Sequence, residues 1–217
     1  RARRGRGAET RGRLIEAALD VFGRFGFEGA TTRQIAREAN ANLAAIVYHF
    51  GSKEELHIAV AEHIVTRIQG LIGPAIADAT ARERDEAPAA AAASLKRLLG
   101  RYTDLILGAD EAERWARFII REQMQPTAAF EVIYGFMSGA HGLGTILAAK
   151  AMGRSPDDEE VKVRVFSMIG QILIFRVAQE LVTRQVGWAA IGEDQRAMIR
   201  KVILGNVDDI LTSEAAR

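Results

Sequence analysis

The stretch from Thr31 to Leu56, TTRQIAREANANLAAIVYHFGSKEEL, constrains the fold more than any other part of the chain. Two apolar-periodic runs stand on either side of Asn40-Ala41-Asn42, an interval with room only for a tight turn between short helices. Thr31 lies three residues before Gln34, the capping-box spacing, and opens a helix over about 32–39 with Ile35, Ala36 and Ala39 inward. Asn42 caps the next, over about 43–50, and Ser52 caps a third, over about 53–71, with Glu54 and Glu55 in its favourable first turn. Upstream, Leu14, Ile15, Ala18, Leu19, Phe22 and Phe25 recur at helical spacing over about 10–25, and Gly26 stands where a C-cap belongs. Such a unit is either a DNA-reading helix-turn-helix or a corner between core helices.

Side-chain size favours DNA. A recognition helix enters the major groove by its N-terminal end, which must be slim. Ile46 and Phe50 lie four apart and face the core, leaving Ala44, Ala45, Val47 and Tyr48 outward. Ala44 and Ala45 permit close approach and can touch a thymine methyl. Thr32 and Arg33 open the supporting helix, where free N–H groups and a hydroxyl hold a phosphate, and Arg33 can reach a guanine edge. Asn42 caps its helix or contacts DNA, and Tyr48, His49 and Lys53 suit phosphate oxygens. Taken singly, each of these is an ordinary surface residue.

The remaining chain reads as helices over about 88–107, 110–124, 126–152, 157–186 and 193–213, giving an all-α fold of about nine helices. Composition breaks at Gly73-Pro74 and at TARERDEAPAAAAA predict a loop followed by a helix from Pro88. Segment 157–186 is apolar almost all round and must be buried on every face, against its own domain and a second copy of the chain. Ile169, Ile172, Leu173 and Leu181, with Ile199, Val202, Ile203 and Ile210, are the expected homodimer interface, burial within one chain being the alternative. Apolar walls with a few convergent polar groups describe a ligand pocket, here Phe118, Arg121, Glu122, Phe130, Tyr134, Met137, His141, Gln171 and Phe175. Each has a bland alternative as a core or capping residue.

Composition bounds the chemistry. The 217 residues include no cysteine, so there is no disulfide framework, thiolate metal site or cysteine nucleophile, and the cytoplasm is the expected compartment. His57 and His63 lie six apart, about 240° round a helix, and cannot share a metal from one face. FGRFGFEG follows a helix and not a strand, so it is no nucleotide loop. No cofactor, metal or enzymatic activity is expected. The apolar segment 161–182 is interrupted by Lys162, Arg164, Arg176 and Gln179, and no window is expected to reach the roughly 18 to 20 uncharged residues of a membrane span. Net charge is only +1, but the first 13 residues hold six arginines against Glu9. Residues 1–8 read as a flexible basic arm suited to phosphate or the minor groove, or as a solvated tail, and not as a signal peptide.

The joint order of these elements resembles a known family. Residues 9–60, through AALDVFGRFGFEGATTRQIAREA and YHFGSKEEL, resemble the DNA-binding domain of the TetR family of transcriptional regulators. The resemblance implies DNA contact by Thr32, Arg33, Ala44, Ala45, Val47, Tyr48, His49 and Lys53. One departure stands out: the family's usual turn is Ala-Gly-Val-Ser, and here it is Ala39-Asn40-Ala41-Asn42. Asparagine tolerates the left-handed conformation that glycine supplies, so the turn is expected to form. NLAAIVYHFGSKEEL, REQMQPTAAFEVIY and GQILIFRVAQE further resemble the CecR-like (CerR-like) subgroup. The implied organisation is a helix-turn-helix domain over 9–56 and a ligand-binding and dimerisation domain over 57–217. The implied function is a repressor that binds a palindromic operator in double-stranded DNA as a homodimer and is released by a small-molecule effector. The competing reading is a helical small-molecule-binding protein or enzyme that does not act on DNA.

Overall fold

The computed structural model describes residues 2–108 and 111–212, with the side chains of residues 2–6 outside the description. The described residues form ten α-helices and no strand. They are α1 (Ala2–Gly29), α2 (Thr32–Glu38), α3 (Leu43–Phe50), α4 (Lys53–Arg82), α5 (Pro88–Gly108), α6 (Ala112–Met124), α7 (Ala128–Met152), α8 (Glu159–Val177), α9 (Gln179–Val186) and α10 (Glu193–Thr212). Two compact units emerge: Arg1–Ile68 with Glu113–Phe136, and Gln69–Ala112 with Met137–Arg217.

In the first unit α1 packs on α2 and α3. Leu14, Leu19 and Phe22 of α1, Ile35 of α2, Ile46 of α3, and Leu56 and Ile64 of α4 are essentially solvent-free. Each such side chain contributes about 1.5–3 kcal/mol by leaving water. Helix α1 begins at Ala2, so residues 2–8 continue the helix backbone where a flexible arm was expected. Arginine and alanine are good helix formers, and they carry the helix through the interposed glycines. Gly26, at φ 72° and ψ 175°, ends the regular helix where the sequence placed a C-cap, and the chain adds one more turn to Gly29. A side chain at that φ is strained.

In the second unit α5 packs on both α8 and α10. The stripes Val161, Val165, Met168, Ile172 and Ile199, Ile203, Val207, Leu211 close on Leu95, Leu99 and Leu147. Spacings of four and three along the first stripe, and of four along the second, each mark the inner face of a helix. Helix α4 runs through Pro74 to Arg82 despite the composition break, although proline removes a backbone donor. The expected loop shrinks to residues 83–87, where Lys150 donates to the carbonyls of Glu83 and of Arg84, the latter at 2.9 Å. The expected single helix 157–186 is two, bent by 80° at Ala178. No glycine or proline marks the break. It is held by Arg176, whose guanidinium donates to Ile106 O at 2.8 Å and to Gln179 Oε1 at 3.3 Å.

One membrane expectation needs correction. Helix α7 is long and apolar enough to cross a bilayer by length and composition, because residues 132–149 carry no charge. A third of that window is buried within the protein. Core helices pass the same test, and Ile133, Leu143, Leu147, Ala148 and Ala149 of α7 are buried in this fold.

Candidate nucleic-acid interface

The turn between α2 and α3 forms as its chemistry dictates. Thr31 Oγ1 accepts from Gln34 N at 3.2 Å while Gln34 Oε1 accepts from Thr31 N at 2.9 Å, completing the capping box. Asn40 takes φ 47°, the only non-glycine positive φ among the described residues. Ala41 N then donates to Ala36 O at 2.9 Å and Asn40 N to Arg37 O at 3.1 Å, the paired bonds of a Schellman motif. Asn42 Oδ1 accepts from Ala44 N at 2.9 Å and caps α3. With both helix ends satisfied, α3 holds a fixed orientation and its outward residues are presented rigidly.

Ile46 is the buried anchor of α3. Outward stand Ala44, Val47 at 65% exposure and Tyr48 at 84%. Val47 and Tyr48 thus place apolar and aromatic surface in solvent beside the slim Ala44. Arg33 and Asn42 are exposed, while Thr32, Ala45 and His49 are half-buried. His49 sits between the rings of Tyr48 and Phe50, with centroids 4.9 and 6.2 Å away.

Lys53 departs from expectation. Its ammonium donates to Phe27 O at 3.0 Å and Ala30 O at 3.3 Å, and lies 4.2 Å from the centre of the Phe27 ring. It pins the last turn of α1 to the start of α4, so two of its three donors serve the fold. The sequence could not show this, because the carbonyls lie 23 and 26 residues away.

Three expected pocket residues are also committed to packing. Phe118 is buried against the His57 ring, 4.7 Å between centres. Arg121 of α6 donates to Gly23 O at 2.7 Å and Arg24 O at 2.5 Å, with the Gly26 backbone close beside its guanidinium. Arg114 adds Asp20 at 2.7 Å and Glu16 at 2.8 Å. Glu122 Oε1 meets His57 Nε2 at 2.8 Å, and its Oε2 accepts from Thr127 N at 3.1 Å and Oγ1 at 2.8 Å. His57, considered in the sequence only as a metal ligand, joins α4 to α6 inside a cage of Phe22, Phe27 and Phe118. Burial pushes its pKa below the ordinary 6.5, against the opposing pull of Glu122. Its Nδ1 has no partner among the described residues, which suits a neutral ring with the proton on Nε2, because protonation would bury an unpaired N–H donor.

The other pocket residues fall in different places. Phe130 and Tyr134 stack at 5.9 Å, with Tyr134 exposed. In the second unit His141 meets Phe166 at 4.8 Å, and burial lowers its pKa. Met137 is half-buried and Phe175 rests on the unit's core. Gln171 Oε1 accepts from Asn206 Nδ2 at 2.7 Å, bracing α8 to α10. The expected dimer set divides as well. Ile172, Ile199 and Ile203 are buried within this one chain and have no surface to offer a second copy. Leu181 and Val202 are exposed, and Ile169, Leu173 and Ile210 are half-buried. Val163, Phe166, Ile174, Val177, Val186 and Met198 of α8–α10, outside the expected dimer set, are exposed apolar residues too.

Comparison with known proteins adds two family matches. Residues 14–60 match the bacterial regulatory proteins of the tetR family, and residues 91–212 match the C-terminal domain of the HTH-type transcriptional dual regulator CecR. The chain is 34% identical over 216 residues to the dual regulator CecR of Shigella flexneri, covering 98% of this chain and 96% of that relative. A transcriptional regulator from Pseudomonas aeruginosa PAO1 shares the fold at a TM-score of 0.66 and 19% identity, covering 93% of this chain and 90% of its own. AibR, solved with isovaleryl coenzyme A and operator DNA, does so at 0.65 and 15%, covering 91% and 97%.

Proposed function

The chain belongs to the TetR family of bacterial DNA-binding transcriptional regulators, in the branch that carries a CecR-type C-terminal domain, and from that premise we propose a ligand-released repressor. It acts in the cytoplasm as a homodimer on a palindromic operator, with no membrane attachment and no catalytic role. The single observation that carries this reading is the α2–α3 face: a doubly capped turn presenting Arg33, Asn42, Ala44, Val47 and Tyr48 outward.

Arg33 reads a base edge while Thr32 and Tyr48 fix register on phosphates. Ala44 lets α3 settle against the bases. Two such heads, related by a two-fold axis, engage half-sites about 34–36 Å apart, one turn of DNA. The two-fold contact is built from the apolar side chains left exposed on α8, α9 and α10, among them Phe166, Val177, Leu181 and Val202. Effector binding in the second unit releases DNA by favouring a state in which α4 holds the heads at another separation. Met137, His141, Gln171 and Phe175 remain candidates for that ligand's surroundings. That AibR was solved with an acyl-coenzyme A and operator DNA supports one protein coupling both events. The Shigella flexneri relative is named a dual regulator, which favours a second reading in which the same bound dimer also activates at some promoters.

Selection of genomic fragments on the full chain tests the proposal. An inverted repeat bound with steep salt dependence is the expected result. Recovery of no common sequence overturns it.

A further inference from the structure

We propose that the second unit carries an oxyanion-binding site in the cavity between the C-terminal half of α4, α5 and α10, which takes the phosphate or carboxylate of a small organic molecule. It rests on the reading that this unit is the ligand-binding part of the regulator, and it names the chemistry of the ligand.

The cavity holds about 580 Å³, within the roughly 300–1,000 Å³ range of small-molecule sites. Four guanidinium groups line it, from Arg82, Arg97, Arg101 and Arg200, against two carboxylates, Asp78 and Asp104. Both carboxylates are already matched: Arg82 pairs with Asp78, and Arg200 Nη1 meets Asp104 Oδ2 at 2.8 Å. Glu86 approaches Arg82 Nε at 3.7 Å and accepts from Ser94 Oγ at 2.6 Å without lining the cavity. Among the described residues Arg97 and Arg101 meet no carboxylate. Arg97 Nη2 holds only the Ser94 hydroxyl, at 2.6 Å, and Arg101 has no hydrogen bond or ion pair among the described residues.

Two like charges one helical turn apart destabilise α5 and return nothing to the fold. A guanidinium fork that faces a cavity without a partner is the group best shaped for a phosphate or carboxylate. A third arginine is brought up by a backbone feature. Gly100 lies buried in the interior of α5, where glycine is unfavourable. A Cβ there would stand 2.8 Å from Arg200 Nη2 and 3.1 Å from its Nε. The glycine therefore admits the Arg200 guanidinium against α5, beside Arg97 and Arg101. Pro74, Ala79 and Leu98 supply the apolar wall for the organic body of the ligand.

Calorimetric titration of the full chain with pyrophosphate, coenzyme A and citrate tests this. Binding of at least one, at one per chain and weakened by salt, is expected, with pyrophosphate over citrate assigning phosphate and the reverse assigning carboxylate. Arg97→Gln and Arg101→Gln should each weaken it by about tenfold or more. Arg97→Lys and Arg101→Lys, which keep the charge, should restore part of it, and Gly100→Ala should weaken it by displacing Arg200. Arg33→Ala should leave it unchanged, which separates this site from phosphate contacts on the DNA face. No binding at millimolar ligand, or equal binding by a folded Arg97→Gln/Arg101→Gln double variant, overturns the site. Operator affinity measured without ligand in the same samples keeps the two ideas apart, since its absence would remove the regulator reading and leave the anion site standing.

Discussion

Both units brace their helices with cations turned onto backbone carbonyls, as Lys150 and Arg176 do in the second, but they differ in what they leave unmatched beside a cavity. In the first, Lys53 and Arg121 are turned onto backbone carbonyls of α1 and its following residue, and Arg114 onto Glu16 and Asp20. In the second, Arg97 and Arg101 line a cavity with no carboxylate partner among the described residues. The difference matches the role proposed for each. A head that reads base edges must hold one geometry, so Lys53, Arg114 and Arg121 brace it while Arg33, Ala44, Val47 and Tyr48 stay exposed. Under the proposed anion site, the second unit keeps unmatched charge where a ligand would arrive, at some cost to its own stability.

Changes at single positions can break this contrast, and the largest effect belongs to the core. Ile203→Ala should destabilise the protein by about 2–5 kcal/mol in denaturant titration, because Ile203 is fully buried within one chain. Its neighbour Val202, 53% exposed, should cost little when changed to alanine and should instead weaken self-association in sedimentation. Equal stability losses would erase the distinction between core and interface on α10. Next, Gly26→Ala should cost about 1–3 kcal/mol, since φ is positive there and the Arg121 guanidinium lies within 3.2 Å of the added carbon. A variant as stable as the parent would show that this brace is slack.

Lys53→Ala sharpens the comparison further. Charged hydrogen bonds are worth about 1.5–3 kcal/mol at most, and partial exposure brings this one to about 1 kcal/mol. Melting should fall accordingly while the salt slope of operator binding stays as in the parent. A slope reduced by about one would return Lys53 to the phosphate backbone.

The smallest effect is on pH. His57 is held neutral, with its pKa below the ordinary 6.5, so its contribution is fully present above that pH and is lost as pH falls toward the folded value. Acid melting curves should show this loss in the parent and not in His57→Phe. A slope common to both would place it elsewhere.

What was legible in the sequence was local. Thr31 with Gln34, Asn40 in place of a glycine, and Asn42 at a helix start obey rules that span a few residues, and the structure follows all three. Interactions between distant residues were not legible. Nothing near Glu122 says that its partner is His57, 65 positions away, and Arg121 looked like a pocket residue for the same reason. Helix α8 is apolar almost all round, so periodicity could not divide Ile172, which is core, from Phe166, which is exposed. The bend at Ala178 carries no proline or glycine to announce it. The uncharged run in α7 was masked by its glycines and alanines, which read as neutral rather than apolar.

The central claim is that the α2–α3 face reads DNA. It is tested most directly by titrating the selected operator, and versions of it changed at single base pairs, with the parent and with Arg33→Ala. The account predicts weaker binding by Arg33→Ala, with discrimination lost at one base pair by about 1–3 kcal/mol and kept at the rest. An Arg33→Ala protein with the parent's affinity and the parent's full base preference would contradict it.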